Sequence, residues 1–323
     1  MRRALQAFLL CTVSGLAGCG VLTPPYAPDP SPLAQGRLPA PDVTLEIAQL
    51  RSCTDSPDAT LQLNSRQPVA VLVHGCRGLA GHFRALAQLY AFHGQQAVCF
   101  AYDPGDSLVK ASGELIVALD RLSARLQDRE VVVIGHSMGG LVARKAMELE
   151  RRGEWQRDDA RIRLATVSAP FAGIAVASPC GNKALHWLSL GVVPGICKAI
   201  TGDNWFEITS ASSFIQRPGA LLPSVQQYVK VVTDERDSCR RKSAAGACLE
   251  SDHIFSLAEQ YHPVIDSYPR LKNVEVRAGH VEIVGYKDVQ PRKLLQILQQ
   301  EGMMAATPPE RRAALERLLA ELY

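Results

Sequence analysis

The chain has 323 residues, of which 47% are hydrophobic and 21% are charged. This composition is typical of an ordinary globular protein and provides enough apolar side chains for one sizeable α/β domain. The formal net charge is only +3, and no basic run with interleaved aromatic residues occurs, which argues against nucleic acid as a partner.

The first predicted element is an export signal at residues 1–18. Two arginines precede a mostly apolar stretch that is too short to cross a bilayer, and this stretch leads into LAGC at residues 16–19. The arrangement resembles the lipobox of bacterial lipoproteins, which implies that Cys19 is lipidated and anchors the protein to a membrane. The alternative is an ordinary secretory signal that contains a cysteine. By the lipoprotein sorting rule, Gly20 after the cysteine favours the outer membrane of the cell envelope.

A proline-rich segment with almost no charge follows at residues 20–41. Such a composition predicts an extended tether between the anchor and the folded part of the chain. The predicted organisation is therefore a signal at 1–18, a lipidated cysteine and tether at 19–42, and one domain at 43–323.

Short apolar runs then alternate with segments of helical spacing. The predicted strands are 69–73, 97–102, 131–135, 161–170, 228–233 and 273–279. The predicted helices are 82–94, the stripe of Leu115, Leu119, Leu122 and Leu126, and the segments 138–151, 290–300 and 309–323. Alternating strands and helices predict an α/β fold with a mostly parallel central sheet and helices on both faces.

Residues 171–222 lie between two predicted strands and are too long for a plain connection. The segment carries many apolar and aromatic side chains, among them Trp187, Trp205 and Phe214. Two interpretations remain open: a cap over a functional site, or an insertion that simply packs on the domain.

The third strand runs into a serine that is flanked by glycines. Gly135, Ser137 and Gly139 form the pattern G-x-S-x-G between a β-branched run and a helix. This context is typical of a nucleophile elbow, in which a strained backbone presents the serine hydroxyl above the sheet and the crowded turn admits only glycine on either side. The alternative is a glycine-rich turn with a surface serine.

Four stretches resemble the α/β-hydrolase family, most of all its bacterial lipases and esterases, over residues 69–300. They are VLVHGCRG at 71–78, VVVIGHSMGGLVAR at 131–144, SDHIFSLAEQ at 251–260 and VRAGHVEIV at 276–284. The resemblance implies that Ser137 is the nucleophile and His280 its base. It also implies that the backbone N–H groups of Cys76 and Met138 form the oxyanion hole.

The acid of the implied triad is less clearly marked in the sequence. Asp252 heads a stretch similar to the family's acid loop, with residues 238–250 as an insertion before it, so Asp252 is the expected acid. Asp237, which follows strand 228–233 more closely, is the alternative, because the order Ser, Asp, His does not separate the two.

The cysteines predict disulfides, because they form no CxxC pairs and follow an export signal. The expected pairs are Cys239 with Cys248 and Cys180 with Cys197, each bracketing a short segment. A pair of Cys53 with Cys99 is a weaker expectation that leaves Cys76 unpaired. A disulfide at Cys76 would put the assignment of its loop to the oxyanion hole in doubt.

The expected function is that of a lipid-anchored serine hydrolase of carboxylic esters, with acyl-lipid or other apolar esters as substrates and with neither metal nor cofactor. A thioesterase, amidase or peptidase of the same fold is one alternative. A catalytically inactive surface lipoprotein that acts as a binding protein or chaperone is the other.

Overall fold

The computed structural model describes residues 28–76, 78–177, 204, 206–285 and 288–323. Its strands are β1 (Val43–Leu45), β2 (Leu50–Arg51), β3 (Leu61–Leu63), β4 (Val69–Val73), β5 (Gln96–Phe100), β6 (Glu130–His136), β7 (Arg161–Val167), β8 (Val225–Asp234), β9 (Cys239–Lys242), β10 (Cys248–Ser251) and β11 (Leu271–Arg277). Its α-helices are α1 (Arg84–Phe92), α2 (Leu108–Ser123), α3 (Met138–Ala146), α4 (Ser213–Gln216), α5 (Leu257–Gln260), α6 (Pro263–Asp266), α7 (Arg292–Gln300) and α8 (Arg312–Leu322).

Among the described residues, seven strands form the central sheet, in the order β11-β8-β7-β6-β4-β5-β2. Every neighbouring pair is parallel except β2 and β5, which are antiparallel. The predicted α/β fold with a mostly parallel sheet is therefore confirmed. Parallel strands all end at the same edge of a sheet, so the residues that follow β4, β6, β7, β8 and β11 are brought together there.

Helices cover both faces of the sheet because alternate strand residues point to opposite sides. Val69, Val71 and Val73 pack on the face that α2 and α3 cover. Ala70 and Leu72 pack on the other face, against α1, α7 and α8. β4 is consequently apolar and buried along its whole length.

The two edges of the sheet differ in character from its centre. At one edge, β2 is only two residues long. At the other edge, β11 alternates half-buried residues with the exposed side chains of Lys272, Glu275 and Arg277.

The end of the predicted tether contacts the domain. Arg84 forms an ion pair with Asp29 at 3.2 Å, and the Gln88 side chain exchanges two hydrogen bonds with the backbone of Ala34. The Arg37 N–H donates to the carbonyl of Ala91 in α1. Within the described residues, contacts with the folded body therefore extend back to Asp29, into the segment predicted to be a tether.

Two predicted disulfides are confirmed. Cys53 pairs with Cys99 of β5, and Cys239 pairs with Cys248 to close the β9–β10 hairpin. Cys76, expected to be unpaired, is also disulfide-bonded, and its partner lies outside the described residues. The expected pair of Cys180 with Cys197 lies outside them as well.

Within the described part of the chain, no helix combines the length and apolar character that are needed to span a bilayer.

Candidate functional site

Ser137 lies in a strained turn between the end of β6 and the start of α3. Its backbone has φ 57° and ψ −127°, in the region that ordinary side chains avoid. A Cβ atom on Gly135 would lie 2.3 Å from the Gly139 oxygen, and one on Gly139 would lie 2.3 Å from the Val73 oxygen. Only glycine fits at these two positions, so the turn has the geometry that the sequence predicts for a nucleophile elbow.

The loop after β4 lies directly against the serine. A Cβ atom on Gly75 would lie 2.9 Å from Cβ of Ser137 and 3.4 Å from its Oγ. Cys76 follows Gly75 in this loop, and Met138 is the first residue of α3. The two residues predicted to supply oxyanion N–H groups therefore flank the serine. The disulfide of Cys76 does not remove its loop from the site.

His280 reaches the same edge of the sheet from the loop after β11. The Nε2–H of His136, the residue before the serine, donates to the His280 carbonyl at 2.8 Å, and the two rings lie 4.8 Å apart. His280 and Ser137 are both buried, with 6% of each exposed. The predicted nucleophile and base therefore lie at one place in the fold.

The carboxylate that contacts the His280 ring belongs to Glu235, the first residue after β8. His280 Nδ1 donates to Glu235 Oε1 at 2.9 Å, and the Glu235 side chain is fully buried. Because Nδ1 carries the proton in this arrangement, Nε2 is left with the lone pair that a general base needs. The structure therefore brings together an acid and a base of the kind that activates a serine.

Glu235 is held by four further donors. The hydroxyls of Ser168 and Thr233 donate to Oε1 at 2.7 and 3.0 Å, and the N–H groups of Ile254 and Phe255 donate to Oε2 at 2.6 and 2.7 Å. Burial alone would raise the pKa of the Glu235 carboxyl, but the hydrogen bond and charge of His280, with the other donors, hold the pKa below its ordinary value. The side chain is therefore an anion at neutral pH.

Asp252, the predicted acid of the triad, does not contact the His280 ring. The Asp252 carboxylate accepts from Arg240 Nε at 2.6 Å and from the backbone N–H groups of Val281 and Glu282, so it contacts the loop of the histidine and not its ring. Asp237, the alternative, is 85% exposed and pairs with Arg277. Glu235, whose carboxylate does contact the ring, follows β8 directly, and the hairpin of β9 and β10 comes after it.

Sequence reasoning missed Glu235, Ser168 and Thr233. A partial signal for Glu235 is present, because it is one of three acidic residues that closely follow the predicted strand 228–233, and a glutamate can serve in this position. Ser168 and Thr233 carry no comparable signal, because nothing local marks a hydroxyl at a strand end as the partner of a distant carboxylate.

Two other histidines lie close to the site and are neutral. Burial lowers the pKa of His74 to about 4, and burial together with the nearby charge of His280 lowers the pKa of His136 to about 3. The Nδ1–H of His74 donates to the Gly75 carbonyl, and Tyr102 stacks on the His74 ring. Both histidines therefore have structural roles.

We expect these two histidines to make the folded protein less stable as the pH falls. Below about pH 6.5 the unfolded chain binds protons that the folded histidines do not bind. The free energy of unfolding therefore falls by about 1.4 kcal/mol for each histidine per unit that the pH is lowered, or roughly 4 kcal/mol in total between pH 7 and pH 5. Urea unfolding at both pH values measures the difference. His253→Gln, at an exposed position, should leave it unchanged, and equal stabilities at pH 7 and pH 5 would contradict the assignment.

One described residue of the 171–222 insertion, Asn204, lies against the residue that follows the serine. Asn204 Nδ2 donates to the Pro104 carbonyl at 2.7 Å and lies 3.8 Å from the sulfur of Met138. The Ile174 N–H donates to the Ile208 carbonyl, which joins the two ends. The insertion therefore reaches Met138 through Asn204. Its final residues lie at the far end of α3, where the Leu222 N–H donates to the Met147 carbonyl. Residues 178–203 and 205 lie outside the described part.

Among the described residues, no group of three or more His, Cys, Asp and Glu side chains is arranged to hold a metal ion.

Comparisons with known proteins identify a family. A sequence model of the alpha/beta hydrolase family matches residues 70–312. The fold is similar to the lipase BlEst2 of Bacillus licheniformis in its mature form, with a TM-score of 0.50, 15% identity, and coverage of 81% of this chain and 98% of the lipase. The propeptide form of that lipase gives a TM-score of 0.52 at 14% identity, covering 83% of this chain and 55% of the other.

A third similar structure is an esterase of the Planctomycetes species Thermogutta terrifontis, Est2, with butyrate bound. It gives a TM-score of 0.42 at 15% identity, with coverage of 75% of this chain and 86% of the esterase. No curated protein matches the chain in sequence.

Proposed function

Because the chain belongs to the alpha/beta hydrolase family, we propose that it is a serine hydrolase that cleaves carboxylic esters, with esters of apolar acids as its substrates. The observation that carries the proposal is the buried pair of Glu235 and His280 beside a serine in a nucleophile elbow. The fold shared with a lipase supports a lipid-like substrate class.

In the proposed reaction, the Ser137 Oγ attacks the ester carbonyl carbon while its proton passes to Nε2 of His280. The N–H groups of Cys76 and Met138 stabilise the oxyanion of the tetrahedral intermediate. When the intermediate collapses, the bond to the leaving alcohol breaks and the alcohol takes the proton from His280. The Glu235 carboxylate stabilises the imidazolium while the proton is held there.

The second half of the reaction releases the acid. A water molecule gives a proton to His280 and attacks the acyl group on Ser137. The new tetrahedral intermediate then expels the serine oxygen, which recovers its proton from Nε2. The carboxylic acid leaves, and the enzyme returns to its starting state.

A serine-reactive fluorophosphonate and a panel of substrates test the proposal. We expect the probe to label the wild type and Ser267→Ala, at an exposed serine, but not Ser137→Ala. Among ester, thioester and anilide substrates of varied acyl length, esters with longer acyl chains should give the highest kcat/KM. A folded wild-type protein that neither reacts with the probe nor hydrolyses any substrate would contradict the proposal. A preference for thioesters or anilides would instead indicate a thioesterase or an amidase of the same fold.

We also propose that Cys19 carries a lipid that anchors the protein to the outer membrane. The support is the succession, within residues 1–19, of two arginines, an apolar stretch and the sequence LAGC. Cys19→Ser expressed in a diderm bacterium should leave the membrane fraction and lose metabolic palmitate labelling. Unchanged fractionation and labelling would contradict the anchor.

A further inference from the structure

The segment Asp252–Phe255 contacts both the acid and the base of the proposed triad. The N–H groups of Ile254 and Phe255 donate to Glu235 Oε2, and the Phe255 ring meets the His280 ring edge-on with centroids 4.8 Å apart. A single short segment therefore holds the carboxylate and one side of the imidazole.

Asp252, at the head of this segment, holds the backbone around His280. Its carbonyl accepts the His280 N–H at 2.9 Å, and its Oδ2 accepts the N–H groups of Val281 and Glu282 at 3.0 and 2.9 Å. A Cβ atom on Gly279 would lie 2.1 Å from the same Oδ2. Three consecutive amides are thus bound by one residue, and a glycine is required for this carboxylate to approach.

The charge of Asp252 has one matching partner among its described contacts. The Asp252 side chain is 2% exposed, and Arg240 of β9 forms an ion pair with it at 2.6 Å. A buried carboxylate needs such a cation and several donors to offset its lost hydration. Arg240 lies next to Cys239, whose disulfide to Cys248 closes the hairpin, so the partner of Asp252 is itself fixed in place.

We propose that Asp252, neutralised by Arg240, is a positioning residue that fixes the backbone of the His280 loop and so keeps the imidazole aligned between Glu235 and Ser137. The inference rests on the proposed function for its catalytic consequence. Its structural part, the hold on the loop, can be tested without any substrate. Misplacement of a catalytic group by about 1 Å can lower a rate by about 100-fold.

The test compares Asp252→Ala, Asp252→Asn and a matched control, Glu148→Gln. Glu148 is also buried and ion-paired, with Lys145 at 2.6 Å, but it lies beyond the far end of α3, about 14 Å along the helix from the serine. For each variant, kcat, KM and the pH profile of ester hydrolysis are measured, together with hydrogen exchange of the peptide that contains Val281 and Glu282.

We expect Asp252→Ala to lower kcat about 30- to 100-fold with KM changed less than threefold, and Asp252→Asn, which retains one acceptor oxygen, to lower it less. Both should speed exchange in the His280 loop, and the acid limb of the pH profile should not move by more than a few tenths of a unit. Glu148→Gln should lower thermal stability without these effects. A separate variant, Gly279→Ala, should reproduce the kinetic loss by displacing the carboxylate.

Each contrary result has a distinct meaning. If wild type hydrolyses esters and Asp252→Ala keeps kcat within threefold, the positioning role is overturned while the proposed function stands. If wild type is inactive, the proposed function fails, and exchange in the loop still decides whether Asp252 holds it. Exchange as slow in Asp252→Ala as in Glu148→Gln overturns the hold itself.

Discussion

Replacing Glu235 with glutamine lowers kcat for ester hydrolysis by about 10³- to 10⁴-fold, because the imidazolium of His280 loses its anion and the ring loses the acceptor that fixes its tautomer. Steady-state kinetics of ester hydrolysis measure the loss.

The matched control for this variant is Asp237→Asn. Asp237 is two residues further along the chain, but its exposed carboxylate pairs only with Arg277 among the contacts of the described residues. Such exposed pairs contribute little, so we expect unchanged kinetics and stability. Full activity in Glu235→Gln, or a large loss of activity in Asp237→Asn, would contradict the assignment of Glu235 as the acid of the triad.

Gly139→Ala should destabilise the fold by about 3 kcal/mol or more and abolish most of the activity. The added methyl would lie 2.3 Å from the Val73 oxygen and 2.4 Å from the His74 oxygen. These atoms belong to the backbone between β4 and the loop that carries Cys76, so the strand end and the oxyanion loop must move away from the serine. Urea unfolding and kcat/KM measure the two losses.

Gly153→Ala is the control for this substitution. No atom lies within 4 Å of the position that its Cβ would take, so a methyl group fits without displacement, and we expect stability within about 1 kcal/mol of wild type. If the two alanine variants are equally stable, the close approach at Gly139 does not restrict the side chain there.

The sequence predicts the central strands well because the residues that specify each strand lie close together in the chain. The β-branched run of β6 and the glycines at Gly135 and Gly139 respond to burial and crowding within a few residues, so pattern alone locates Ser137. The buried run of β4 was predicted with its observed bounds. His280 follows from chain order and the end of β11.

The acid is harder because its identity depends on contacts between distant segments. Asp252 is buried and bound to the histidine loop, which is why its surroundings resemble an acid loop, yet its charge is directed at amides and Arg240. Glu235 is recognised only when Ser168, from another strand, and Phe255, from beyond the hairpin, are seen to converge on it. The spacing of residues within one segment does not predict that these distant residues meet.

The contacts of Asp29 and Arg37 and the pairing of Cys76 are difficult to predict for related reasons. Prolines in residues 28–41 restrict the chain whether it is solvated or bound, so composition does not reveal that Asp29 and Arg37 contact the first helix region. Disulfide partners likewise depend on which loops meet in space, and an odd cysteine in a count says little about them.

The unequal ends of the seven-stranded sheet bear on how copies of the molecule can associate. At one edge, β2 has only two residues and presents few unpaired backbone groups for another chain to bind. At the other edge, β11 exposes Lys272, Glu275 and Arg277, whose charges would be buried if another strand were added there. Growth of the central sheet from one molecule into the next through these two strands is therefore disfavoured.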